Sequence, residues 1–175
     1  MTTLKGKLVF LRALENEDLQ FLYDIENDQQ VWELSNTMTP YSKYILQNYI
    51  NNSHKDIFEV KQLRLVISDY HDNCIGLIDL FDFDAKNKRA GVGIIIKDVK
   101  DRKKGFAKEA LNLLINYSFK TLQLHQLYCN ISESNLNSIR LFENLNFERI
   151  GLQKDWNFNG KSFTNVYSYQ LISKA

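Results

Sequence analysis

Charge of one sign is what this chain of 175 residues lacks: 22 Lys and Arg stand against 21 Asp and Glu, a net charge of +1. A general nucleic-acid binder carries a large basic excess to neutralise phosphates, so that class is set aside. Cysteine is nearly absent. Cys74 and Cys129 stand apart, without metal-ligand spacing or a disulfide framework, which fits reduced thiols in a cytoplasmic protein. His54, His71 and His125 are far apart and match no metal or triad pattern. No metal is expected, and no Ser/His/Asp or Cys/His arrangement suggests a covalent intermediate. Long apolar runs are missing too. Leu8–Leu11 ends at Arg12, too soon for a signal peptide or a membrane span, so a soluble, intracellular protein without a membrane partner is expected. Repeats, low-complexity tracts and linkers are absent, and the length suits one domain, 1–175, around a single substantial core.

What is present is organised around Lys97–Thr121. Ala107, Ala110, Leu111, Leu114 and Tyr117 recur at helical spacing and make one apolar face. Lys100, Arg102, Lys103, Lys104 and Lys108 crowd the N-terminal end of that helix, where the dipole and free N–H groups disfavour cations. An anion at this end would reconcile the conflict, with the N–H groups as ligands and the cations as counter-charges. Gly105 would let phosphates approach the backbone. The other reading is a solvated basic turn. Gly91–Ile96, just before, reads as a buried strand whose glycines permit close backbone approach. Strand, basic loop and helix together form a phosphate-cradle layout, without the Gly-Lys-Ser/Thr of a P-loop or the glycines of a dinucleotide fingerprint.

The remaining elements follow from periodicity. Lys7–Leu14 alternates as a strand, Glu15–Asn27 is helical, Gln30–Thr39 is irregular, and Pro40 starts or precedes a helix over Tyr41–Asn52. Leu63–Ser68, Cys74–Phe83 and Ala90–Ile96 read as an antiparallel meander. Leu127–Ile131 is a short strand and Leu136–Leu145 a helix capped from Ser132–Asn135, with Asn146 in the left-handed position after it. Glu148–Phe158 and Ser162–Ile172, joined by Asn159-Gly160, form a hairpin.

Arg102-Lys103-Lys104-Gly105-Phe106-Ala107 resembles the (Gln/Arg)-x-x-Gly-x-(Gly/Ala) signature of the GNAT superfamily of N-acetyltransferases. Asn135-Leu136-Asn137-Ser138 through Phe147 resembles that family's Asn-x-x-Ser/Ala … Gly-Phe block, and the element order agrees over nearly the whole chain. The resemblance implies an α/β (α+β) fold, a splayed, mostly antiparallel mixed sheet in the order β-α-α-β-β-β-α-β-α-β-β. It implies acetyl-CoA as co-substrate. Its pyrophosphate would lie on the amides of Arg102, Lys103, Lys104, Gly105, Phe106, Ala107 and Lys108, and its pantetheine beside the backbone of Ile94, Ile95 and Ile96. Contacts from Asn135, Ser138 and Phe142 are also implied. Asn135 and Ser138 equally suit the cap and first turn of their helix.

Acetyl transfer to a primary amine must remove a proton, at a cost of about 4–5 kcal/mol for an amine of pKa near 10.4 at pH 7. A carboxylate or a water chain must take it. Asp79, Asp82 and Asp84 are expected on one face of their strand, lining an acidic groove, with an ordinary solvent face as the other reading. Asp79 is the expected base or amine anchor, and it matches an acidic position of related polyamine acetyltransferases. Many relatives place a tyrosine after the Asn-x-x-Ser block to protonate the departing thiolate; this chain has Phe142 there, leaving water or another residue such as Tyr128.

The C-terminal part looks like bacterial spermidine/spermine-type and ribosomal-protein N-terminal acetyltransferases, which implies a small amine or a peptide N-terminus as acceptor. Glu26 and Glu33 with the three aspartates would suit a polycation. Thr37, Met38 and Leu46 stand where polyamine enzymes carry acids, and Gly91 where they carry a glutamate. The competing reading, consistent with Phe142, is a non-catalytic acetyl-CoA-binding or sensory module. The resemblance, together with the exposed-edge hairpin at the C-terminus, makes a homodimer plausible.

Overall fold

The computed structural model describes residues 3–35 and 37–174, with the side chains of 33 and 34 outside that description. The strands are β1 (Val9–Arg12), β2 (Leu63–Asp69), β3 (Cys74–Asp84), β4 (Arg89–Ile96), β5 (Gln126–Ser132), β6 (Glu148–Phe158) and β7 (Phe163–Ile172). They form one seven-stranded sheet in the order β1-β2-β3-β4-β5-β7-β6. Neighbours are antiparallel except β4 and β5, which run parallel. A parallel pair needs a crossover. The amphipathic helix expected after the basic loop supplies it.

The helices are α1 (Leu19–Glu26), α2 (Gln29–Ser35), α3 (Lys43–Asn51), α4 (Ile57–Val60), α5 (Phe106–Lys120) and α6 (Leu136–Glu143), with single 3₁₀ turns at Asn16–Asp18 and Val99–Asp101. They divide between the two sheet faces. Leu111 and Leu114 of α5 and Ile139 of α6 pack with Ile78, Leu80, Val92 and Leu127. Leu22 and Ile25 of α1, with Leu46 and Ile50 of α3, pack with Val66 and Leu77. The neighbours Leu77 and Ile78 serve opposite faces, as strand alternation requires. Fully burying each such side chain contributes roughly 1.5–3 kcal/mol. Among the described residues no helix is long and apolar enough to cross a membrane.

The element order is the expected one with two short helices added. Gln30–Thr39 was expected to be irregular, yet α2 occupies most of it, because Asp28 Oδ1 accepts from the Gln30 amide (2.9 Å) and caps a helix start. α4 begins the same way, with Asp56 accepting from the Phe58 amide at 2.7 Å, and stops at Lys61, whose φ is +56°. A four-residue helix is too short to show periodicity. Pro40 lies before α3, which Ser42 caps by accepting from the Ile45 amide. Asn146 takes the left-handed position (φ +64°): its amide donates to Glu143 O and that of Phe147 to Phe142 O, closing the end of α6.

Candidate active site

β4 and β5 are joined at only three register pairs, Arg89↔Gln126, Ala90↔Leu127 and Gly91↔Tyr128. Beyond Gly91 the strands part. Ile94, Ile95 and Ile96 pair on their other side with Ile78, Leu77 and Gly76 of β3. Their side chains alternate, Ile94 and Ile96 toward the α5 face and Ile95 toward the α1 face. The backbone edge facing β5 therefore has no strand partner among the described residues and can pair with an extended ligand, in the manner of edge addition.

The basic loop closes one end of this gap. The first backbone bond of α5 runs from Glu109 N to Gly105 O (3.0 Å), so the amides of Phe106, Ala107 and Lys108 have no helical acceptor. Lys103 (φ +62°) and Gly105 (φ +89°) are left-handed. A left-handed residue followed by right-handed ones turns successive N–H groups toward one point, an anion-binding concavity. A Cβ on Gly105 would lie 3.3 Å from Leu8 Cδ1, so a side chain there is both strained and crowded. Lys104 pairs with Asp101 (3.0 Å) and Lys100 with Asp98 (3.6 Å). These local pairs offset part of the cation crowding. Arg102, Lys103 and Lys108 are exposed around the loop. The residues expected to hold a diphosphate are thus brought together, and their geometry fits one.

Glu109 carries a role that periodicity did not reveal. Its carboxylate accepts from the amides of Lys7 (2.9 Å), Leu8 (2.7 Å) and Val9 (2.8 Å), tying the N-terminal turn of α5 to the start of β1. Burial alone would raise its pKa; the three amides more than offset that and hold the carboxyl below its ordinary range. The only sequence signal was an acid in the first turn of a basic helix.

On the opposite face lie the acids expected to meet the amine. Asp79 and Asp82 are three positions apart, which on a regular strand would put them on opposite faces. A bulge between Phe81 and Asp84, with Asp82 at φ +48°, re-phases the strand. Asp79 accepts two hydrogen bonds from Arg64, Nε to Oδ1 at 2.7 Å and Nη2 to Oδ2 at 3.0 Å. Arg64 Nη1 reaches across to Glu26 Oε1 at 2.5 Å. Burial would lower the Arg64 pKa, but the charge and hydrogen bonds of Asp79, with Tyr49 and Glu26, raise it, so the guanidinium stays charged. Asp82 accepts from the Tyr128 hydroxyl at 3.4 Å, and Asp84 from Asn87, with Arg89 at 3.3 Å. An open cleft of about 1010 Å³ runs past Asp82 and Asp84, floored by Tyr128, Asn130, Ser168 and Gln170. The Glu33 side chain lies outside the described residues.

Gly91 is explained by Phe81. A Cβ at Gly91 would stand 2.2 Å from the Phe81 ring, which packs edge-on against Tyr128 with centroids 6.1 Å apart. An aromatic wall of Phe81 and Tyr128 stands over this glycine. Burial and then Asp82 raise the Tyr128 pKa, so its hydroxyl keeps its proton at neutral pH. Phe142 is buried in the α5-face core, edge-on to Phe147 (5.0 Å). Asn135 Oδ1 accepts from the Ser138 amide (3.2 Å), so both serve the start of α6. Cys129 is a core residue whose thiol burial pushes up to about 12.

The family model described as the acetyltransferase (GNAT) domain matches residues 9–148. The chain is 30% identical over 165 residues to a spermidine N(1)-acetyltransferase of Vibrio cholerae, covering 94% of this chain and 93% of that protein. Its fold superposes on the spermidine N-acetyltransferase of Vibrio cholerae solved in complex with CoA and spermine, with a TM-score of 0.85, 26% identity, and coverage of 95% and 96% of the two chains. A dodecameric structure of the Vibrio cholerae enzyme gives a TM-score of 0.79 at 28% identity, covering 95% of each chain. Parted strands, a left-handed glycine loop with free amides, and a family match across four-fifths of the chain agree: this protein belongs to the GNAT acetyltransferases and is an acetyl-CoA-dependent N-acetyltransferase.

Proposed function

We propose that the acceptor is a polyamine such as spermidine, whose primary amine attacks the thioester directly in a ternary complex. The observation that carries this reading is the carboxylate series on the α1 face of the gap. Glu26 and Asp79 share one guanidinium, leaving a net charge of −1, and Asp82 and Asp84 continue along the same strand. A chain of ammonium groups suits such a series, and the spermidine N(1)-acetyltransferase of Vibrio cholerae supports the same choice. Arg102–Lys108 would hold the diphosphate and Ile94–Ile96 the pantetheine. The Glu26–Arg64–Asp79 cluster, to which the expected base Asp79 belongs, would receive the amine. Tyr128 would supply the proton that Phe142 lacks.

The test is thiol release from acetyl-CoA against spermidine, spermine, amino acids, aminoglycosides and short peptides. Turnover fastest with the polyamines is the expected outcome. Preference for a peptide N-terminus would replace the substrate, and tight acetyl-CoA binding with no turnover would make the protein a binding module. β6 is one of the two edge strands and exposes Ile150, Trp156 and Phe158. Self-association through this edge is part of the proposal, and light scattering reads it.

A further inference from the structure

We infer that Glu26 is the group that takes the proton from the acceptor ammonium, and that Asp79 is a positioning residue acting through Arg64. This deepens the reading above and rests on it for the identity of the amine.

Glu26 breaks a local rule. It is the last residue of α1, where the helix dipole favours cations and disfavours a carboxylate. The structure holds it there: Trp32 Nε1 donates to the Glu26 carbonyl oxygen at 2.6 Å, and Arg64 holds Oε1. Oε2 has no hydrogen-bond partner among the described residues. The Glu26 side chain is 14% exposed, so its carboxylate is not sealed from solvent. Asp79 differs at this point. Both of its oxygens point at the Arg64 fork, so protonating either would weaken a charge-assisted bond.

Register sets the cluster level with the open stretch of β4. Asp79 is in register with Gly93, two residues past the last β4–β5 pair, roughly 7 Å into the gap. Around the guanidinium, the Tyr49 ring lies 5.6 Å away from α3, Asp79 comes from β3 and Glu26 from α1. The cluster carries one uncompensated negative charge beside the place where an amine must shed its own positive charge. The ammonium transfers one proton to Glu26 Oε2. The nitrogen lone pair then forms the C–N bond as the C–S bond breaks, Tyr128 gives its proton to the thiolate sulfur and regains one from the second nitrogen proton through solvent, and the Glu26 proton leaves to solvent. Glu26 is a catalytic residue in this step; Asp79 never touches the amine.

The experiment uses the full chain and the best acceptor from the amine panel. Glu26→Gln keeps the shape and the Arg64 hydrogen bond but cannot take a proton. Its kcat/KM for the amine is expected to fall about a hundredfold with the KM for acetyl-CoA unchanged. Asp79→Asn is expected to lose about tenfold, and the double variant to be no slower than Glu26→Gln alone, because a positioning residue acts only through its partner. Should Glu26→Gln fail to fold, Glu26→Asp retracts the carboxylate by one methylene and lowers kcat at constant acetyl-CoA KM. Wild-type kinetics in the Glu26 variants overturns the proton-accepting role while the polyamine reading stands. Multiplying losses in the double variant overturn the role of Asp79. Turnover confined to another amine, and abolished by Glu26→Gln, keeps the role of Glu26 and removes the polyamine reading. No turnover by wild type on any amine overturns both.

Discussion

The two sides of the β4–β5 gap are built differently. On the α5 side the site is backbone: amides of Phe106, Ala107 and Lys108, a left-handed Gly105, and the unpaired edge of Ile94–Ile96, all within one short stretch. On the α1 side it is side chains gathered from distant positions, Glu26 from α1, Arg64 from β2 and Asp79 from β3. In the proposed arrangement the backbone would recognise what every acceptor shares, the acyl donor, with little dependence on side-chain identity, and the side chains would recognise what differs between acceptors. Binding of the donor and choice of the amine should therefore be separable by mutation.

The sharpest way to break that separation is Gly105→Val. A β-branched residue at φ +89°, with its Cβ 3.3 Å from Leu8, forces the loop to move. The Kd for acetyl-CoA is expected to rise about a hundredfold, about 2.7 kcal/mol, by the same factor whichever amine is present. Calorimetry measures it; an unchanged Kd would mean that the diphosphate sits elsewhere.

Tyr128→Phe probes the opposite side. Thiolate is a tolerable leaving group, so losing a proton donor is expected to lower kcat about tenfold, less than the usual range for a required acid, without altering the KM for acetyl-CoA. A variant that keeps its kcat would leave water as the donor.

The smallest effect tests the scaffold beneath the backbone side. The folded pKa of Glu109 lies below its ordinary value near 4.5. Its stabilisation is thus complete above that pH and fades as pH falls through the lower folded value. Glu109→Gln is expected to cost about 1 kcal/mol near neutrality, at the low end because the group is only half-buried. Urea unfolding should show the gap between wild type and variant closing in acid. A gap that persists in acid would indicate that the charge of Glu109 is not what holds Lys7–Val9.

Contiguity explains what could be read in advance. Lys97–Thr121 carries its strand exit, turn and helix start in one stretch, so its conflict between cations and helix dipole was visible, and so were the Asn135 cap and the Asn146 stop. The acids were legible as a group. That they share a face depends on the bulge at Asp82, a left-handed aspartate that strand alternation does not foresee. Asp79 was legible as an acid near the middle of β3, but its capture by Arg64 was not, because the two are neighbours only through the β2–β3 register. The helices α2 and α4 escaped detection because a single capping aspartate, without a long apolar stripe, begins each.

The sequence by itself determined the order of the strands and of the four longer helices, the GNAT signature at Arg102–Ala107, and the absence of a tyrosine at Phe142, since each is local or a matter of residue identity. Tertiary structure alone decided where β4 leaves β5, why Gly91 must yield to the Phe81 ring, and which carboxylates Arg64 captures. Those outcomes depend on register and on hydrogen-bond partners far apart in the chain. Periodicity, which reports only which way a side chain faces, carries no information about what it meets there.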